Sequence, residues 1–160
     1  MRNSRIDIPA EVREKTIAIL NARLADAIDL KLQAKQAHWN VKGPSFIALH
    51  ELFDQIAGRV DGHVDEIAER VTSLGGIAEG TLQAVTRTSE LAAYPITITA
   101  GKEHVGRLAD ALATFGESVR AASDDADELG DADTADIFTG VSKAIDKDLW
   151  FLEAHLETKD

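Results

Sequence analysis

The sequence predicts an all-α fold: a bundle of four long helices, with one long crossover that contains a short helix between helices 2 and 3. Apolar residues recur with a period near 3.6 in four stretches. The three prolines, Pro9, Pro44 and Pro95, lie where these stretches begin or break, so the stretches between them lack helix breakers. The connection over 77–99 is also much longer than a turn between neighbouring bundle helices.

The first two predicted helices span 10–37 and 45–73. Pro44 follows the first helix, and Gly75 and Gly76 stop the second. The apolar side of the second helix carries Leu49, Phe53, Ile56, Val60, Val64 and Ile67. Both segments are long enough to cross a domain from end to end.

The crossover over 77–99 is predicted to contain a short helix at 81–90, and it lets the second and third long helices run parallel. The third and fourth helices are predicted at 100–123 and 134–157. A four-helix bundle with one long crossover is the ferritin-like arrangement, in which carboxylates and histidines build metal sites. The Glu-x-x-His signature of single-chain di-iron sites is missing, which favours a site at a subunit interface.

Composition limits the class of protein. A length of 160 residues with 44% hydrophobic content suits one domain, expected at 10–160 after a short tail at 1–9. We expect no membrane span and no secretory signal. The absence of cysteine excludes disulfides and thiolate metal sites, and the chain fits a cytoplasmic protein. A net charge of −11 disfavours nucleic-acid binding and favours cations.

Five potential metal ligands lie between residues 38 and 69: His38, His50, Asp54, Asp65 and Glu69. His50 and Asp54 share one helix face, as do Asp65 and Glu69, because each pair is four residues apart. Asp54 and Asp65 are nevertheless roughly 16 Å apart along the helix, so one ion cannot reach both. An antiparallel copy related by a two-fold axis near Arg59 would bring His50 opposite Glu69 and Asp54 opposite Asp65. An isologous dimer would therefore assemble two equivalent sites.

Two glycines, Gly58 and Gly62, flank the centre of this arrangement and would let two helices approach closely. The alternative is that these acidic residues form an ordinary solvated helix face. Asp61 and His63 do not fit the pairing, so we interpret them as surface or interface residues, with Asp61 a candidate secondary ligand.

The segment HWNVKGP over 38–44, followed by the other four ligands in register, resembles the ferroxidase signature of the Dps family of mini-ferritins. A second similar block comprises DTADIF at 133–138 and DKDLWFLE at 146–153. The resemblance implies a hollow dodecamer with iron sites at its two-fold interfaces. One subunit would supply His38, His50 and Asp54, and the other would supply Asp65 and Glu69.

Imidazole and carboxylate donors suit iron(II), with zinc, manganese or cobalt as competitors. We therefore expect a ferroxidase that binds and oxidises iron(II), because the carboxylates stabilise iron(III). The resemblance implies that hydrogen peroxide is the preferred oxidant and that ferric mineral is stored in the cavity. A zinc- or manganese-buffering shell without redox turnover is the alternative that ligand identity leaves open.

Three aspartates, Asp131, Asp133 and Asp136, lie at the start of the fourth predicted helix, where carboxylates favour the positive end of the helix dipole. Capping is one interpretation. The resemblance implies another, in which this stretch lines a three-fold pore and concentrates iron(II).

Two tryptophans and two histidines remain. By resemblance Trp39 lies near the iron, although we favour a packed aromatic, and Trp150 is expected in core or interface packing. His104 and His155 have no matching partner spacing and are expected to be structural or exposed.

Basic residues are scarce at both ends of the chain. Only Arg2 and Arg5 precede Pro9, and residues 157–160 carry no basic extension. We therefore expect DNA binding to be weak or absent. The alternative function is a nucleoid-coating protein that protects DNA and whose metal site is mainly structural.

Overall fold

The computed structural model describes residues 1–157, and the predicted domain end at 160 and the last residues of the C-terminal segment lie outside this range. The fold is all-α, as predicted. Its helices are α1 (Ala10–Asn40), α2 (Phe46–Ser73), α3 (Leu82–Thr88), α4 (Gly101–Glu128) and α5 (Ala132–Glu153). The short helix α3 lies within the long crossover, as expected. Within the described range, no helix is long and apolar enough to cross a membrane.

The largest differences from the predicted helix ends are in three helices. Helix α1 continues beyond residue 37 to Asn40 and ends where Val41 becomes extended. Helix α4 continues through the acidic residues after 123, and Gly130 at φ +84° terminates that region. Helix α5 spans Ala132–Glu153 instead of 134–157, because the side chain of Asp131 caps its start.

The bundle consists of two helix pairs, α1 with α2 and α4 with α5. Lys31 pairs with Asp61 and Lys35 pairs with Asp54, which shows that α1 and α2 are antiparallel. Three phenylalanines are fully buried where the pairs meet: Phe53, Phe115 and Phe138. The apolar side of α2 thus faces the core, and its opposite side is left for function.

Partly buried polar contacts hold the crossover against α1. The backbone N–H of Glu90 donates to Asp26 Oδ1 (2.8 Å), and the hydroxyl of Ser89 donates to Asp29 Oδ2 (2.6 Å). Burial raises the pKa of Asp26 despite the opposing hydrogen bond from Glu90 and the charge of Arg23. The crossover is therefore fixed on the bundle by specific bonds.

The N-terminal tail packs on the domain. The backbone N–H of Arg2 donates to the carbonyl of Gly75 (2.8 Å), and its guanidinium donates to the carbonyl of Thr72 (2.8 Å). Ile6 and Ile8 are partly buried against the core. One of the two arginines before Pro9 is thus occupied at the end of α2.

Candidate metal site

His38 and His50 form a stacked pair where the end of α1 meets the start of α2. Their ring centroids are 3.8 Å apart with 24° between the planes. Nδ1 of His38 lies 2.7 Å from the carbonyl of His50, and Nδ1 of His50 lies 2.9 Å from the carbonyl of His38. Because a carbonyl only accepts, each Nδ1 carries the hydrogen, and each Nε2 keeps a lone pair for a metal.

Asp54 lies one helical turn after His50. Its Oδ1 is 4.0 Å from His38 Nε2 and 2.6 Å from the Lys35 ammonium. The hydrogen bond from the Lys35 ammonium and its positive charge lower the pKa of Asp54, so the carboxylate is ionised at neutral pH. Three predicted ligands are therefore close together, with Lys35 as the counter-ion of the carboxylate.

Asp65 and Glu69 are exposed on the same outward side of α2. Across residues 1–157 the structure gives neither carboxylate a hydrogen bond or an ion pair. Nor does one protomer, over that range, bring three His, Asp or Glu side chains together as a metal site. The shared site across a two-fold axis thus remains a prediction.

The outward side of α2 is open between the two ligand pairs. Gly58 and Gly62 are exposed, and a Cβ at either position would meet no atom within 4 Å. Asp61 pairs with Lys31 (2.6 Å). His63 was expected at the surface or an interface, but its side chain is only 17% exposed, and burial lowers its pKa. His63 is therefore not a surface residue, and its place at an interface stays a prediction.

The two tryptophans are both largely exposed in the protomer. Trp39 is 64% exposed, with the Lys35 ammonium 5.6 Å from the centre of its ring, so it does not pack within the protomer. Trp150 is 62% exposed beside Phe151, so the expectation of core packing is wrong and interface packing stays a prediction. His104 is buried, in agreement with the structural alternative.

The three aspartates around the start of α5 are of two kinds. Asp131 is 1% exposed, accepts from the backbone N–H of Thr134 (3.1 Å) and pairs with Arg70 (2.7 Å). It therefore caps the helix, whereas Asp133 and Asp136 are exposed. Sequence reasoning missed Arg70, and its only signal was a basic residue in the last turn of α2.

The family model for the ferritin-like domain matches residues 17–160. A DNA protection during starvation protein from Agrobacterium fabrum is 51% identical, over 96% of this chain and 94% of that protein. The chain belongs to the Dps family. Another Dps-family relative, the DNA protection during starvation protein of Brevibacillus brevis, is 32% identical over 91% of this chain and 97% of its own.

Solved Dps structures share the whole fold. A Dps structure from Mycobacterium smegmatis superposes with a TM-score of 0.94 at 28% identity, covering 99% of this chain and 95% of that one. DpsA14 from Streptomyces coelicolor gives a TM-score of 0.93 at 34% identity, covering 98% and 93%. The family resemblance noted from the sequence is therefore confirmed.

Proposed function

We propose that this protein is a peroxide-dependent ferroxidase that binds iron(II) between two subunits and stores the ferric product in a hollow oligomer, a dodecamer. The observation that carries the proposal is the stacked pair of His38 and His50. In both rings Nδ1 makes the backbone hydrogen bond, and Nε2 of His38 lies 4.0 Å from Asp54 Oδ1. Asp65 and Glu69 of a second copy would complete the ligand set.

The donor set favours iron as the substrate. Two imidazoles with carboxylates suit iron(II), and zinc is a competitor for the same donors. Three negative charges stabilise the ferric product. Two iron(II) ions give two electrons, and hydrogen peroxide with two protons is thereby reduced to two waters. This stoichiometry consumes iron and peroxide together without releasing a hydroxyl radical.

The exposed aspartates in the first turns of α5 are the proposed uptake route for iron. Asp133 and Asp136 would line a three-fold pore, in which three copies create a negative potential that concentrates cations. Asp131 has a structural role instead, because its carboxylate is engaged by Arg70 and Thr134.

Protection of DNA, which the names of the relatives describe, would follow here from removing iron and peroxide in the cytoplasm. Net charge of −11 per chain opposes contact with phosphates, and Arg2 is held at the end of α2. We therefore expect weak DNA binding at most. The nucleoid-coating function, with a mainly structural metal site, is the alternative.

The deciding experiment compares iron(II) oxidation by stoichiometric peroxide under anaerobic conditions with oxidation by dissolved oxygen. We expect faster oxidation with peroxide, abolished in His50→Ala and retained in His155→Ala, the histidine control outside the site. Equal slow rates in wild type and His50→Ala would refute the ferroxidase. A gel-shift assay across salt concentrations would then test the nucleoid-coating alternative.

A further inference from the structure

A second pair of titratable side chains lies behind the proposed metal site. Tyr94, the one tyrosine of the chain, belongs to the crossover, and His104 lies in the first turns of α4. The Tyr94 hydroxyl is 2.6 Å from His104 Nδ1, and the two rings are stacked within 15° of parallel, with centroids 6.0 Å apart. This distance allows direct proton transfer between phenol and imidazole.

The surroundings keep both partners neutral at rest. His104 is 1% exposed, and burial lowers its pKa, opposed by the backbone of Ile98 and by Glu103. Burial also raises the pKa of Tyr94 well above its ordinary value. The phenol is therefore the hydrogen-bond donor and neutral Nδ1 the acceptor, an assignment that puts the ring hydrogen of His104 on Nε2. That Nε2 is buried and makes no well-formed hydrogen bond within residues 1–157.

The pair is connected to the metal face through one aromatic ring. Phe53 is fully buried and directly precedes Asp54, and its ring centroid is 6.3 Å from that of His104. The ligand-bearing segment of α2, Phe53, His104 and Tyr94 are thus packed in sequence. An oxidising equivalent formed at the outer side of α2 has a short protein path to the phenol.

We propose that Tyr94 and His104 form a redox pair that quenches one-electron oxidants, a role that rests on the proposed ferroxidase as their source. When a single iron(II) reacts with peroxide, it yields iron(III), hydroxide and a hydroxyl radical. Tyr94 gives one electron, which reduces the hydroxyl radical to hydroxide, and its phenolic proton moves to His104 Nδ1. The products are a neutral tyrosyl radical and an imidazolium. The negative charge of Glu103, which favours protonated His104, stabilises that imidazolium.

The first test needs no iron and so separates this proposal from the ferroxidase. In the metal-free protein, azide radicals from pulse radiolysis oxidise the two tryptophans, Trp39 and Trp150. We expect the tryptophanyl absorption to decay into tyrosyl absorption within the protein. Tyr94→Phe should abolish the tyrosyl signal, and His104→Gln should slow its formation by at least about tenfold. A wild type without transfer, or a His104→Gln variant with unchanged rate, would overturn the pair.

The second test supplies iron(II) below the number of sites and then peroxide. Freeze-quench EPR should detect a tyrosyl radical in wild type that is absent in Tyr94→Phe. Spin-trapped hydroxyl radical outside the protein should rise several-fold in Tyr94→Phe at an unchanged rate of iron oxidation. Equal spin-trap yields in the two proteins would contradict the protective role. Loss of iron oxidation in wild type would refute the ferroxidase and leave the metal-free result to decide the pair.

Discussion

Each half of α2 carries one pair of proposed metal ligands spaced four residues apart, but the surroundings of the two pairs differ. In the first half, α1 fixes His50 and Asp54 through a stacked imidazole, backbone hydrogen bonds and an ammonium group. In the second half, Asp65 and Glu69 are exposed and, within residues 1–157, placed only by the helix that carries them. Three of the proposed ligands are thus organised inside the protomer, whereas in the proposed site Asp65 and Glu69 would gain neighbours only from a partner subunit.

The order in the first half has a physical cause at the end of α1. The carbonyl of His38 is in the last turn, where helical acceptors lose their partners. The N–H of Lys42, which would continue the helix, donates instead to Thr99 (2.8 Å). Nδ1–H of His50 donates to this carbonyl (2.9 Å). One hydrogen bond therefore satisfies the end of α1 and orients the proposed ligand His50.

The largest effect is expected from damaging the two halves separately. Asp54→Ala and Asp65→Ala should each abolish peroxide-driven iron oxidation. Refolding the two variants together should restore activity, because each mixed dimer regains one site with all five ligands. Random pairing would recover about one quarter of the wild-type sites. The readout is the initial oxidation rate per chain after mixing at equal concentrations.

The control for this mixture is a chain that carries both substitutions, refolded with wild type. Its mixed dimers have one damaged contribution in each site, so they should add no activity beyond that of the wild-type dimers. If the mixture of single variants recovers nothing while its assembly is normal, each site draws all its ligands from one subunit.

Gly58 tests whether a partner covers the space between the halves. Gly58→Leu should disrupt assembly and lower iron occupancy, although a Cβ at this position meets no atom of the protomer within 4 Å. Within the protomer the substitution should even favour the helix, by up to about 1 kcal/mol. Analytical ultracentrifugation measures the outcome. Gly140→Leu is the matched control, since Gly140 is also an exposed helical glycine with clear space around it.

A Gly58→Leu protein that assembles and binds iron as wild type does would remove the two-fold interface from this face. Asp65 and Glu69 would then need a partner other than the two-fold copy of α2.

The sequence sufficed for the features that depend on helical period. Spacing placed His50, Asp54, Asp65 and Glu69 on one side of α2, and the long connection predicted the crossover. The helical repeat of the sequence does not predict which residues of different helices contact each other. The ion pair of Lys35 with Asp54 and the hydrogen bond of Tyr94 with His104 join residues whose separation follows no repeat, so only the packed structure brings them together.

The aspartates around the start of α5 show a second reason why the sequence does not predict every contact. Asp131, Asp133 and Asp136 look alike in sequence, but Asp131 alone lies at the N-cap position, where its side chain turns inward to Arg70. Which aspartate is buried depends on where α5 begins, and helix ends are what local patterns define least well.

Substituting Asp131 should therefore change the stability of the protein at the second half of α2, because its partner Arg70 directly follows Glu69. Asp131→Ala should destabilise the protein by about 3 kcal/mol or more, because it removes a cap and leaves Arg70 without its buried partner. Thermal unfolding followed by circular dichroism measures the change. Asp133→Asn with Asp136→Asn should leave stability nearly unchanged and slow iron uptake several-fold. The reverse pattern would assign the pore role to Asp131.

The smallest effect is expected from Lys35, which belongs to the ordered half. Lys35→Met keeps the aliphatic stem and removes the ammonium that competes with a metal for Asp54. Cobalt(II), a redox-stable substitute for iron(II), should bind several-fold more tightly at neutral pH. Titration calorimetry measures this affinity.

Lys35→Met should also change the pH at which Asp54 titrates. Lys35 lowers the pKa of Asp54, so the wild-type carboxylate stays ionised to lower pH. Without Lys35 its pKa returns toward the ordinary value, so the Asp54 carboxylate of the metal-free variant should titrate at a higher pH, as measured by NMR. Lys31→Met is the matched control, since it removes an ion pair of the same 2.6 Å length to Asp61 on the same two helices. If both lysine variants behave alike, Lys35 acts only through the general charge of this face. Its ion pair with Asp54 would then have no specific role in organising the first half of α2.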